Sequence, residues 1–140
     1  MSTSRASARW QGALKDGRGS MKAAHLPEVP FSVNTRFAGE PGSNPEELIG
    51  AALAGCFSMA LSAALGKAGF TPVSIETEAK VQLDKDGEGF SITSIALTTR
   101  AQVPGVNGQQ FESIAQETKK GCPVSKALAG TQINLQANLA

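Results

Sequence analysis

The stretch Asn44–Lys67, NPEELIGAALAGCFSMALSAALGK, decides how this chain folds. It opens with helix-start signals in their proper order. Asn44 can cap, Pro45 suits the first helical position, and Glu47 stands third, as a capping box wants. Gly69 follows the last helical residue and can end the helix in a left-handed turn. The run between them is apolar around most of its circumference, which predicts a helix central to the fold. Gly50, Ala54, Ser58 and Ser62 recur at i+4 spacing and are all small. Such a row lets another helix approach closely, in this chain or in a second subunit. The apolar part, Leu48 to Leu65, is built from Ala, Gly and Ser with few large side chains, so it reads as a buried core helix rather than a membrane span.

The flanking segments read as strands. Ala8, Trp10, Gly12 and Leu14 alternate with Arg9, Gln11 and Ala13, and Asp16-Gly17 supplies a turn before Gly19, Met21 and Ala23, which predicts a hairpin over the first 24 residues. His25 to Ser43 carries three of the seven prolines and reads as a loop with a short strand near Phe31 to Val33. Val73 to Leu83 alternate apolar and polar without a break, a strand with one buried and one wet face. After Asp86-Gly87 the return strand holds phase at Phe90 and Ile92, then slips by one near Thr93-Ser94, where a β-bulge is expected. Phe111, Ile114, Ala115 and Thr118 repeat at helical spacing up to Gly121, a short helix runs from Pro123 to about Ala129, and Ile133 to Leu139 alternate as a last strand. Hairpins rather than βαβ crossovers predict an α+β fold, a largely antiparallel sheet packed on the long apolar helix.

The chain has 140 residues, which fits a single domain over 1–140, long enough to fold without a disulfide or metal. Charge is balanced at +1, Tyr is absent and Trp occurs once, so no basic stripe interleaved with aromatics points to nucleic acid. Met1 to Ala8 lacks the apolar region of a signal peptide, and a reducing cytoplasmic setting is expected. There, two cysteines are catalytic or free rather than a permanent staple. One His and two distant cysteines give no zinc-ligand spacing, and no cofactor is implied. His25 is expected in a loop and Trp10 in the core.

Four residues could carry chemistry. Cys56 sits in the apolar helix with Ala52 and Ala60 one turn either side, and its blander reading is a buried structural thiol. An apolar site raises a thiol pKa, so a reactive Cys56 needs a cation brought to it. Arg36 is the candidate, against the plainer reading of a solvated loop arginine. Glu47 has the capping task, which leaves Glu46 freer to pair with an arginine. Cys122, between Gly121 and Pro123, stands at a helix start, where N–H groups and the dipole favour a thiolate. On local electrostatics alone, Cys122 is the more acidic thiol.

Asn34-Thr-Arg-Phe37, the run Asn44 to Leu61 and Gly121-Cys-Pro-Val-Ser125 together closely resemble the OsmC family, in its OsmC branch rather than that of the related organic hydroperoxide reductases called Ohr. The resemblance covers essentially the whole chain. It implies an OsmC-like fold, an intertwined homodimer with sites at its interface, and thiol-dependent reduction of organic hydroperoxides, with hydrogen peroxide as a further substrate. It makes Cys56 the peroxidatic thiol, Cys122 the resolving one, Arg36 the activating cation and Glu46 the acid that orients it, reversing the local ranking of the thiols. An external dithiol closes the cycle; for relatives this donor is often a lipoyl-bearing protein. Glu46 and Cys56 are ten residues apart on one helix, a rise of about 15 Å. Arg36 and Glu46 are therefore expected to reach Cys56 of a partner subunit. Two other readings stay open: a non-catalytic module holding a hydrophobic ligand on the helix face around Cys56, and a redox sensor.

Overall fold

A computed structural model describes residues 1–140. The chain divides into two compact units, Met1–Glu47 and Leu48–Ala140.

In the first unit, β1 (Ala6–Gln11), β2 (Arg18–Ala23) and β3 (Val29–Phe31) form an antiparallel sheet in sequence order. The predicted hairpin is present. Gly17 serves it through space rather than a positive φ: a Cβ there would run into the carbonyl oxygens of Ala13 and Gln11. Trp10 is not a core residue. It is 37% exposed, tilts against Phe31 at 5.5 Å between ring centroids, and donates Nε1–H to the Gly12 carbonyl at 3.0 Å. His25 lies in the turn after β2, as expected of a loop residue. The segment read as a loop holds more order than its prolines suggested. The strand falls two residues earlier than expected, and a short helix, α1 (Val33–Phe37), follows it. Its start is a full capping box: Ser32 Oγ accepts the Thr35 N–H at 3.1 Å, and Thr35 Oγ1 accepts the Ser32 N–H at 2.8 Å. The pair Ser-x-x-Thr is a weaker signal than Ser-x-x-Glu, which is why the sequence hid it.

The long helix α2 (Pro45–Lys67) begins and ends as its sequence predicts. The Glu47 N–H donates to Asn44 Oδ1 at 2.8 Å, but the Glu47 carboxylate takes the Ser43 hydroxyl at 2.7 Å instead of reaching back to the cap. At the far end Gly69 adopts φ +92°, and the Phe70 N–H closes on the Leu65 carbonyl at 2.9 Å, satisfying a helix-terminal acceptor.

In the second unit, β4 (Ser74–Asp86) and β5 (Gly89–Gln102) pair antiparallel, and β6 (Gln132–Leu139) joins β5 in parallel. The fold is α+β, as expected, with one parallel pair in an otherwise antiparallel set and two three-stranded sheets rather than one. The bulge is where the phase slip put it: Gln82 faces Ser94 and Leu83 faces Ile92, leaving Thr93 unmatched. Inward residues stack in cross-strand rows, such as Val81–Ile95–Ile133 and Ala79–Leu97–Leu135. Against them lie α2 through Leu53, Phe57, Leu61 and Leu65, all fully buried at i+4 spacing, and α3 (Gly108–Gly121) through Phe111 and Ala115. Removing one such large side chain costs about 3 to 5 kcal/mol.

Three expectations about α2 change. Within the chain, the small row meets the sheet rather than a second helix at Gly50 and Ser58, while Ser62 is exposed. A Cβ on Gly50 would lie 3.2 Å from Val81 Cγ2 and 3.6 Å from the Ala79 Cβ, and Ser58 Oγ meets Thr77 Oγ1 at 2.7 Å. The helix is also not buried all round, since Ala51, Ala52, Gly55, Met59 and Ala63 are exposed. By length and composition this 23-residue helix is long and apolar enough to cross a membrane, against the expectation drawn from its small residues. Its buried leucine stripe is the packing of a core helix.

Candidate active site

The first unit holds an ion pair. Arg36 lies in the last turn of α1 and Glu46 in the first turn of α2. Arg36 Nε donates to Glu46 Oε1 at 3.0 Å and Oε2 at 3.1 Å, and Nη2 also meets Oε1. This fork geometry fixes the guanidinium plane and is stronger than a neutral hydrogen bond. Glu46 is 8% exposed, the one buried acid of its helix, and Glu47 is exposed and engaged with Ser43. The Arg36 guanidinium also lies 5.6 Å from the Phe37 ring centroid.

The second unit holds a thiol pair. Cys56 and Cys122, 66 residues apart, are both free thiols with Sγ atoms 2.8 Å apart. Two packing decisions produce this. Cys56 projects from α2 one residue before Phe57, whose side chain anchors the helix in the core. Cys122 is at once the C-cap of α3 and the N-cap of α4 (Pro123–Ala127). Its N–H donates to the Thr118 carbonyl at 3.0 Å and its carbonyl accepts from Lys126 N–H at 3.0 Å. The junction is thus fixed from both sides. Cys122 is fully buried, whereas Cys56 is partly exposed.

The two thiols are driven apart in acidity. Burial pushes Cys56 up, and the contact with Cys122 pushes it further, against a lowering contribution from the Val124 N–H. Burial also acts to raise Cys122, but the contact with Cys56, the N–H and hydroxyl of Ser125 and the Val124 N–H together hold it below the ordinary range. The local ranking read from the sequence, with Cys122 the more acidic, is what this unit produces. No cation is among the groups acting on Cys56 there.

A ladder of hydroxyls ties α2 to the sheet at Ser58, two residues after Cys56. Ser58 Oγ meets Thr77 Oγ1 at 2.7 Å, Thr77 meets Thr99 Oγ1 at 2.9 Å, and Thr99 donates to the Glu76 carbonyl at 3.2 Å. Each hydroxyl has one proton to give. Thr99 gives its proton to Glu76, so Thr77 donates to Thr99 and Ser58 donates to Thr77. No local pattern announces this ladder, although Thr77 and Thr99, in phase on two neighbouring strands, are a legible trace of it. Beside Cys122, a groove of about 520 Å³ runs between α2 and α3, lined in part by Ala60, Ala64, Ile114 and Cys122, with Lys67 and Glu117 among its polar groups.

Comparison with known proteins shows what the chain as a whole is similar to. The family described as OsmC-like protein matches residues 38–137. The chain is 55% identical over 123 residues to Peroxiredoxin OsmC of Escherichia coli strain K12, covering 86% of each protein. It is 34% identical over 91 residues to the organic hydroperoxide resistance protein OhrA of Bacillus subtilis strain 168, covering 65% of this chain and 63% of that one. The crystal structure of the organic hydroperoxide resistance protein OhrB of Bacillus subtilis superposes with a TM-score of 0.75 at 25% identity, over 99% of this chain and 98% of that one.

Proposed function

The chain belongs to the OsmC family, and from that premise we propose that it is a thiol-dependent peroxidase reducing organic hydroperoxides, with hydrogen peroxide a further substrate, in defence against oxidative and osmotic stress. The observation that carries the reading is the meeting of Cys56 and Cys122 at 2.8 Å across 66 residues of chain. In the first step the Cys56 thiolate attacks the peroxide O–O bond. The alkoxide leaves, takes a proton and departs as the alcohol, and Cys56 becomes a sulfenic acid. Cys122 then attacks that sulfur; the S–S bond forms, the S–O bond breaks, and water leaves. An external dithiol, for which a lipoyl-bearing protein is the candidate, reduces the disulfide by exchange.

Arg36 is the activating cation in this scheme. It would stabilise the Cys56 thiolate and the charge developing on the leaving oxygen, with Glu46 holding its plane. The need for such a cation is clear, since Cys56 alone is pushed toward the neutral thiol. Glu46 and Cys56 stand ten residues apart on the unbroken α2, a rise of about 15 Å. We therefore place Arg36 and Glu46 against Cys56 of the partner subunit in a two-fold dimer, in which residues 1–140 form one domain. The exposed apolar face of α2 around Met59, 76% exposed, suits such an interface. A cytoplasmic location is part of the same proposal.

The test is peroxide consumption with a dithiol donor, cumene hydroperoxide against hydrogen peroxide, for wild type, Cys56→Ser and Cys122→Ser. Loss of consumption in Cys56→Ser, with a sulfenic acid still formed in Cys122→Ser, is the expected result. Consumption indifferent to Cys56 would instead favour a hydrophobic-ligand module, the reading that the groove beside Cys122 supports.

A further inference from the structure

We propose that Ser125 is a positioning residue for the reductive half of the cycle: its hydroxyl donates to the Cys122 sulfur as that sulfur leaves the disulfide, so that the external thiol is directed onto Cys56. The inference rests on the thiol-peroxidase reading above and names a group and a direction of attack within it.

Three observations meet at this residue. Ser125 follows Cys122 by three positions, so with Cys122 at the N-cap it stands at the third residue of α4, the spacing at which a cap side chain and its reciprocal partner face one another. It is 7% exposed, and its buried hydroxyl oxygen makes no hydrogen bond of ordinary geometry, although it lies near enough to the Cys122 sulfur to act on that thiol. A buried hydroxyl left unpaired is costly, and one that persists calls for a reason. Cys122, for its part, makes no side-chain capping bond; its sulfur is turned to Cys56. A serine hydroxyl rotates freely and carries one proton to give, so it can serve the sulfur in the one state where the sulfur needs it, the thiolate. The same hydroxyl is among the groups that hold Cys122 low against its burial.

The chemistry then has a direction. When a donor thiolate attacks the Cys56–Cys122 disulfide, a bond forms to one sulfur and the other departs carrying the electron pair. Exchange is fastest when the attacked sulfur is reachable and the departing one is a stable thiolate. Cys56 is the partly exposed sulfur and Cys122 the fully buried one. The donor therefore bonds to Cys56 and Cys122 leaves, receiving the Ser125 hydroxyl together with the backbone N–H groups. The donor's second thiol, giving up its proton, displaces Cys56, and the donor departs as its own disulfide. The protons shed by the two donor thiols restore the two cysteine thiols.

The experiment uses disulfide prepared with diamide, so that it does not depend on peroxide turnover. Dithiothreitol reduction is followed by quench and thiol labelling for wild type, Ser125→Ala and Ser125→Thr. Ser125→Ala should slow reduction roughly tenfold, as loss of a hydrogen bond to a charged group predicts, and Ser125→Thr, which keeps the hydroxyl, should recover most of the rate. In a Cys56→Ser background, Ser125→Ala should also move alkylation of Cys122 to higher pH. With glutathione as a single-thiol donor, acid-quenched mixed disulfide should map to Cys56. An unchanged rate in Ser125→Ala, equal slowing in the alanine and threonine variants, adducts on Cys122, or failure of diamide to form the bond would each overturn the proposal. Failure of the peroxidase reading would show elsewhere, as a disulfide that diamide forms and peroxide does not.

Discussion

Replacing Thr77 by valine should expose how α2 is tied to its sheet. The side chains have nearly the same shape, so the change removes a hydroxyl from the middle of the Ser58–Thr77–Thr99 ladder and little else. The proton order sets the cost. Thr77 gives its proton to Thr99 and accepts from Ser58, so the valine leaves the Thr99 oxygen without a donor and the Ser58 proton without an acceptor. Thr99 is fully buried and has no water to turn to, whereas Ser58 is half-buried. Two net hydrogen bonds at about 1 kcal/mol each give a loss of about 2 kcal/mol. Ser58→Ala removes only the terminal donor, leaves the Thr77–Thr99 bond intact, and should cost about 0.5 to 1 kcal/mol. An unfolding entropy of about 2.1 cal/mol/K per residue over 140 residues gives about 0.3 kcal/mol/K, so Thr77→Val should lower Tm by about 7 °C and Ser58→Ala by about 2 to 3 °C. Calorimetry and urea unfolding of both single variants and the double variant measure this, and the double should cost less than the sum. A Ser58→Ala cost equal to or above that of Thr77→Val would refute the proton order and, with it, the ladder as a directed chain.

Other perturbations test the packing and the site. Gly50→Leu would drive a side chain into Val81 and Ala79, and should destabilise by about 1 to 3 kcal/mol in urea unfolding. Glu46→Gln keeps the shape but removes the charge from the Arg36 fork; steady-state kinetics should show a rate with cumene hydroperoxide falling roughly tenfold with Tm changed little, because Arg36 is a third exposed. Cys122→Ala removes a group that pushes the Cys56 thiol up, so less is left to oppose its ionisation. The pH midpoint for iodoacetamide alkylation of Cys56 should therefore fall relative to wild type; a midpoint that rises or stays fixed would contradict the coupling.

Local signals carried much of this protein. Asn44, Pro45 and Gly69 bound α2 in one dimension, because caps and φ preferences act within a few residues. The period-two runs gave β4 and β5, and the one-residue slip at Thr93 gave the bulge, since a pleat records every change of phase. Glu46 was separable from Glu47 on the capping argument alone, and the motif around both cysteines marked the family. What the sequence could not supply were facts about which faces meet. The row Gly50, Ala54, Ser58, Ser62 announced a close approach, and only the tertiary structure decided that a sheet meets it at Gly50 and Ser58, because a small surface is blind to its partner. The parallel pairing of β6 with β5 likewise depends on where α3 and α4 return the chain. Trp10 lies on a surface although its alternation suited a core, since period two says that one side is buried and not which. Above all, a separation of 66 residues says nothing of distance, and the contact between Cys56 and Cys122 exists because Phe57 anchors one helix while the α3–α4 junction delivers the other thiol to it.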